Sequence, residues 1–78
     1  MDQAIEISEI FRDGICYAYD SMRKELPDGM ISDGALSDDP SALYYTPFAH
    51  SGDAVYFDAE HPDMLAIEWN GEWACYKK

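Results

Sequence analysis

The dipeptide Asn70-Gly71 constrains the fold more than any other feature of this sequence. It separates "MLAIEW" (64–69) from "EWACYK" (72–77), and both segments are rich in residues that favour strands. Asn-Gly favours a two-residue type I′ turn, whose twist matches that of two antiparallel strands. We therefore expect a C-terminal hairpin with a fixed register, in which Leu65, Ile67 and Trp69 lie opposite Tyr76, Ala74 and Glu72 on one face, and Ala66 and Glu68 lie opposite Cys75 and Trp73 on the other.

The central part of the chain predicts one more strand and several short elements. Residues 54–58, "AVYFD", favour a strand. Met30 and Ile31 are compatible with a brief strand. Asp39 followed by Pro40 resembles a helix N-cap with proline at N1, so we expect about one and a half helical turns up to Tyr45. The predicted antiparallel sheet thus has three or four strands.

The first 26 residues show the periodicity of an amphipathic helix. At 100° per residue, one side of the helix carries an apolar stripe of Ala4, Ile7, Phe11, Ile15, Ala18, Met22 and Leu26. The opposite side carries the acids Asp2, Glu6, Glu9, Asp13 and Asp20. Pro27 ends this pattern. We expect a helix from about residue 2 or 3 to 25 that packs on the sheet, with the acids forming a continuous stripe. The expected fold is α+β, in one domain of residues 1–78.

The charge balance limits the classes of partner. The chain has 16 acidic and 5 basic residues, a net charge of −11, and no basic side chain from Glu25 to Tyr76. Such a surface repels nucleic acid and anionic membranes and attracts basic proteins and divalent cations. The acidic N-terminus is unlike a signal peptide, and no apolar run approaches a membrane span. We expect a cytoplasmic monomer whose cysteines, Cys16 and Cys75, are reduced and at least half-buried.

The spacing of the candidate residues does not match the metal-binding or catalytic motifs considered for this sequence. The aspartate-rich stretch 27–39 fails as an EF-hand loop, because placing Gly34 at the sixth position puts Gly29 where the first carboxylate is required. His50 and His61 are too far apart for a typical zinc site. There is no nucleophile elbow and no glycine-rich phosphate loop. We expect a protein that is not an enzyme and needs no cofactor.

The acidic residues are the candidate binding surface. The charged residues of a surface helix ordinarily face water, and such a face usually carries both acidic and basic side chains. In this chain the basic side chains that would balance the acids are missing. Aromatic residues outside the predicted core would anchor a protein partner. The predicted partner-binding residues are the acids Asp2, Glu6, Glu9, Asp13, Asp20, Asp28, Asp33, Asp38 and Asp39 and the aromatic anchors Tyr44, Tyr45 and Trp73.

In length, acidity and helix-plus-sheet pattern, the chain resembles the small acidic anti-CRISPR proteins of phages, of the DNA-mimic type. The resemblance implies a basic partner that handles DNA or RNA in the host bacterial cell, such as a Cas subunit, and inhibition of target DNA binding. Two other functions stay open, namely an immunity protein or antitoxin against a basic nuclease toxin, and an acidic metal-binding or structural domain. Adaptation to high salt would also explain the acidity.

Overall fold

The computed structural model describes residues 7–48 and 52–78, which form an all-β fold of seven strands. The expected α+β class is therefore wrong, and the described residues contain no helix. The strands are β1 (Glu9–Arg12), β2 (Ile15–Arg23), β3 (Ile31–Ala35), β4 (Tyr44–Tyr45), β5 (Ala54–Phe57), β6 (Met64–Trp69) and β7 (Glu72–Lys77).

The strands form one antiparallel sheet that curls into a nearly closed barrel. Their order is β3-β5-β6-β7-β2-β1-β4. The two end strands meet at a single parallel bridge between Ser37 and Tyr45. There the Ser37 amide donates to the Tyr44 carbonyl at 3.0 Å, and the Thr46 amide donates to the Ser37 carbonyl at 3.0 Å. Curling brings buried side chains of every strand except β3 to one interior and reduces the exposed sheet edges.

The predicted N-terminal helix is a β-hairpin. Asp13 and Gly14 have φ of 51° and 82°, a left-handed conformation that a right-handed helix cannot contain. The chain reverses there, and Arg12 pairs with Ile15. Two members of the predicted apolar stripe, Ile15 and Ala18, are exposed, whereas Tyr17 is buried. Alternation with period two, not 3.6, describes this segment, because β2 is held by pairing with β7 on its other side.

Two shorter predictions in the middle of the chain also need correction. Asp39 accepts a hydrogen bond from the Ser41 amide at 3.0 Å, as an N-cap would, but only one turn forms, closed by the Ala42 amide. The chain then enters β4, because Tyr44 is buried in the barrel and pairs with Arg12. The predicted brief strand at 30–31 is longer than expected and spans Ile31–Ala35.

The predictions for the last third of the chain are confirmed. Strand β5 occupies residues 54–57, and β6 pairs with β7 in the predicted register, from Met64 opposite Lys77 to Trp69 opposite Glu72. The face that was expected to pack on a helix lines the barrel instead. Five of its six residues, Leu65, Ile67, Trp69, Ala74 and Tyr76, are buried, whereas Glu72 is half-buried. The five pack with Ile7, Ile10, Tyr17, Leu36, Tyr44, Val55 and Phe57.

Buried hydroxyl groups tie the barrel to its loops. The Tyr76 hydroxyl donates to the Ile7 carbonyl at 2.6 Å, and the Tyr17 hydroxyl donates to the Pro62 carbonyl at 2.5 Å. Thr46 is completely buried, and its Oγ1 donates to the Glu9 carbonyl at 2.9 Å. Each of these polar groups thus leaves water without losing a hydrogen-bond partner.

The segment that joins β2 to β3 covers part of the outer surface. Its residues Leu26 and Met30 pack against Ala66 and Cys75, which lie on the outer face of β6 and β7. Trp73, on the same face, is half-buried, and its ring packs edge-on against Tyr56 with centroids 5.0 Å apart. The second face of the C-terminal hairpin is therefore covered along part of its length.

Candidate functional site

One end of the barrel gathers residues from five strands. Because neighbouring strands run antiparallel, the end of β1 lies beside the start of β2 and the start of β4, with Arg12 paired to both Ile15 and Tyr44. The start of β3 lies beside the end of β5, with Ile31 paired to Phe57. We call this end the mouth of the barrel.

A polar network joins the two end strands across the opening in the sheet. Arg12 Nε donates to the Tyr44 hydroxyl at 3.1 Å, and that hydroxyl donates to Asp33 Oδ2 at 2.7 Å. Arg12 Nη2 lies 3.8 Å from the same carboxylate oxygen. The guanidinium carbon of Arg12 lies 3.9 Å from the centroid of the Phe57 ring, a cation–π contact. Side chains therefore close the barrel where the backbone ladder does not.

The environment of this network favours the neutral tyrosine. Burial, followed by the hydrogen bond to Asp33, raises the pKa of Tyr44 to about 12. The hydrogen bond with Tyr44 raises the pKa of Arg12 as well. A Cβ atom added to Gly34 would lie 3.1 Å from the Tyr44 ring, so glycine at this position gives the ring its space. The network is therefore a structural connection in which the Tyr44 hydroxyl stays protonated.

Exposed apolar side chains surround the mouth. Among the described residues, the large hydrophobic side chains that are exposed are Ile15 at 44%, Ile31 at 67% and Leu43 at 46%. Ile15 and Ile31 pair with the mouth residues Arg12 and Phe57. The Leu43 carbonyl accepts a hydrogen bond from the Asp13 amide at 2.8 Å, which places it beside the β1–β2 turn. All three therefore lie at the same end of the barrel.

Acidic residues flank these apolar side chains. Asp13 is in the β1–β2 turn, Asp28 and Asp33 lie on either side of Ile31, and the turn that starts at Asp39 ends beside Leu43. The loop from β5 to β6 adds further acids at the same end. The carboxylates of this region are those of Asp13, Asp28, Asp33, Asp39, Asp58, Glu60 and Asp63, against the basic side chains of Arg12, Lys77 and Lys78.

A cleft of about 240 Å³ adjoins the mouth between the β2–β3 segment and the β5–β6 loop. Its lining residues are Pro27, Asp28, Met30, Asp58, His61, Asp63, Met64 and Lys77. Asp58 is held by the Glu60 amide at 2.9 Å and by His61 Nδ1 at 2.9 Å. The hydrogen bond to His61 lowers the pKa of Asp58, and the same bond raises the pKa of His61.

The described residues contain no group of three or more histidine, cysteine, aspartate or glutamate side chains placed to hold a metal ion. His61 lies beside Asp58, and no further ligand completes that pair into such a group among residues 7–48 and 52–78. His50, the other histidine considered from the sequence, lies outside the described residues. His61 and Asp58 therefore form a hydrogen-bonded pair at the surface of the cleft.

The predicted acidic residues do not form a continuous stripe, because the stripe depended on the helix. Asp2 and Glu6 lie outside the described residues. Glu9 is half-buried on β1, and Asp20 is exposed at a β-bulge in β2, where it has no counterpart in the pairing with β7. The predicted acids that the fold does bring to the mouth are Asp13, Asp28, Asp33 and, through the turn that ends beside Leu43, Asp39. Asp38 is exposed and directly follows Ser37, where the chain pairs with Tyr45 and runs away from the mouth.

The predicted aromatic anchors are less accessible than expected. Tyr44 is buried in the barrel, where its hydroxyl serves the polar network, so it offers no ring to a partner. Tyr45 is half-buried against Phe11, and Trp73 against Tyr56. The exposed apolar residues at the mouth were not predicted. Local sequence does not distinguish an isoleucine that the fold covers from one that it leaves exposed next to a turn.

Comparison with protein-family models, with curated proteins and with solved structures finds no match to this chain. Across the described residues, no helix has the length and apolar character that a membrane span requires. The geometry and charge of the candidate site are therefore the features that bear on its function.

Proposed function

We propose that this protein is a small acidic inhibitor that binds a basic nucleic-acid-binding protein, and specifically an anti-CRISPR protein that binds a Cas effector complex and prevents target DNA from binding. Such an inhibitor acts in the cytoplasm of the bacterial host cell. The observation that carries the proposal is the strongly negative charge of the whole molecule, −11 from 16 acidic and 5 basic residues, part of which lies at the mouth in Asp13, Asp28 and Asp33.

The proposed action is electrostatic competition. A groove that binds DNA presents lysine and arginine side chains, and a partner with a complementary negative field associates with it quickly. In the barrel the acids come from separate turns, so they form a patch and not a line that follows a DNA backbone. The support for mimicry is therefore the sign and size of the net charge, −11, and not the spacing of the carboxylates.

The test measures whether the protein competes with DNA for a purified Cas effector complex of the Cascade type. We expect the protein to reduce binding of labelled target DNA, with an inhibition constant that rises steeply as salt is added. Reversal of two exposed acids at the mouth, Asp13→Lys with Asp28→Lys, should weaken inhibition more than tenfold.

The matched control reverses two exposed acids away from the mouth, Asp20→Lys with Glu68→Lys, which changes the net charge by the same amount. This control should inhibit nearly as well as the unmodified protein. Equal loss in both variants would mean that only total charge matters. Absence of inhibition by the unmodified protein, together with neutralisation of a basic nuclease toxin, would replace the proposal with an immunity function.

A further inference from the structure

We infer that the exposed apolar residues of the mouth, Ile15, Ile31 and Leu43, form the centre of the contact surface, and that the partner inserts an apolar side chain there from within a cluster of lysine and arginine residues. The inference rests on the proposed function only in taking the partner to be a basic protein. It adds two points to that function, namely where on this protein the contact lies and which side chains the partner presents to it.

The first support is the distribution of exposed apolar surface. At the opposite end of the barrel the large residues are covered, with Trp69 only 9% exposed and Phe48 half-buried. Ile15 and Ile31 occupy the interior-facing side of their strands, since Ile15 is two residues before the buried Tyr17 and Ile31 pairs with the buried Phe57. They continue the core to the surface, and nothing in the described residues covers them.

The second support is the rigidity of the surface below these side chains. Arg12, stacked on Phe57 and bonded to Tyr44, connects β1 and β4 to Asp33 on β3. The relative positions of the strands that carry Ile15 and Ile31 are thus fixed before a partner arrives. A preformed apolar centre loses little conformational entropy on binding, which favours affinity.

The third support is charge complementarity, which selects the occupant. Carboxylates lie near this apolar centre: Asp13 is in the turn beside Leu43, Asp28 lines the adjoining cleft, and the turn that starts at Asp39 ends beside Leu43. A second copy of this chain placed mouth to mouth would bring like charges together, and nucleic acid would be repelled in the same way. A basic protein with an apolar side chain at the centre of its patch satisfies both the acidic rim and the apolar centre.

The experiment uses the full chain labelled with ¹⁵N and two short synthetic peptides of equal charge. One peptide alternates lysine with leucine, and the other has serine in place of each leucine. We expect the leucine peptide to bind about tenfold more tightly, with amide shift changes centred on residues 12–15, 31–33 and 43–44. Equal affinity for the two peptides, or shift changes spread over the whole barrel, would overturn the inference.

A substitution tests the same contact from the other side. Ile31→Ser should weaken binding of the leucine peptide about fivefold or more and leave binding of the serine peptide unchanged. Ala35→Ser, an exposed site at the other end of the same strand, is the matched control and should leave both affinities unchanged. Identical behaviour of the two variants would also overturn the inference. Inhibition of the Cas effector is measured separately, so failure of the proposed function and failure of this contact are distinguishable.

Discussion

Asp13 and Asn70 adopt the same backbone conformation, each with φ of 51°, and each precedes a glycine, with φ of 82° at Gly14 and 83° at Gly71. Both pairs close two-residue hairpins, between β1 and β2 and between β6 and β7. Positive φ at both central positions is the requirement of a type I′ turn, which Asn-Gly and Asp-Gly meet at the lowest cost. Two distant parts of the chain thus use the same turn.

Gly14→Ala and Gly71→Ala should destabilise the protein by similar amounts, about 1–2 kcal/mol each. No atom lies within 4 Å of a Cβ added at either site, so the cost comes from the backbone conformation alone. At Gly14 the sign of the change in the free energy of unfolding distinguishes the hairpin from a helix, because in a helix Gly14→Ala would stabilise the protein by about 1 kcal/mol. Urea denaturation of the two variants measures both values, and a stabilised Gly14→Ala variant would contradict the hairpin.

Tyr44→Phe should destabilise the barrel by about 1–2 kcal/mol. The change keeps the buried ring but removes the hydroxyl that connects Arg12 to Asp33, leaving those charged groups with only their longer contact of 3.8 Å. Thermal or urea denaturation measures the loss. Tyr45→Phe, at the adjacent half-buried tyrosine, is the matched control and should change stability by less than about 0.5 kcal/mol.

The His61–Asp58 pair predicts a defined pH dependence. The hydrogen bond raises the pKa of His61 above 6.5, so its stabilisation is complete below 6.5 and is lost as pH rises through the higher folded value. The same bond lowers the pKa of Asp58 below 3.8, so that contribution is present above 3.8 and is lost as pH falls through the lower folded value. The pair therefore stabilises the fold most between these two ordinary values.

An NMR titration of the His61 ring checks this directly. The ring should titrate above 6.5 in the unmodified protein, and Asp58→Asn should bring its pKa back towards 6.5. Asp63→Asn removes another carboxylate from the same cleft but no hydrogen bond to the ring, so it should lower the pKa by much less. Equal shifts in the two variants would mean that general charge, and not the hydrogen bond, determines the pKa.

The cysteines should differ sharply in reactivity. Both are free, and Cys16 is exposed whereas Cys75 is buried, so the expectation of partial burial is wrong for Cys16. Cys16 pairs with Phe11, and Cys75 pairs with Ser21, five positions further along β2, which puts the two sulfurs too far apart for a disulfide.

A thiol reagent should therefore modify Cys16 in the native protein and Cys75 only after unfolding. Burial, and then the charge of Glu9, raise the pKa of Cys16, so Glu9→Gln should accelerate its reaction. Mass spectrometry of the modified protein identifies the site. Native modification at Cys75 would contradict the packing of the outer face, and Cys16→Ser provides the control in which native modification disappears.

The candidate site could be predicted only in part from the sequence. The excess of acid was evident from composition, and several of the predicted residues, such as Asp13 and Asp28, do lie at the mouth. Their proximity depends on the strand order, which places the end of β1, the start of β2, the start of β3 and the end of β5 at the same end of the barrel. The exposure of Ile31 and the burial of Tyr44 could not be predicted, because both depend on which residues of distant strands cover them.

The sequence by itself determined the elements whose conformation is fixed locally. The Asn70-Gly71 turn sets the register of β6 and β7, since the allowed backbone angles of those two residues leave one favourable hairpin geometry. The tertiary structure decided the conformation of residues 9–23. Their apolar residues suit a helix by spacing, but they form β1 and β2, and β2 gains hydrogen bonds and buried contacts with residues 73–77, at least fifty positions away. Long-range pairing outweighed local periodicity because the free energy of a strand is supplied by its neighbours in the sheet.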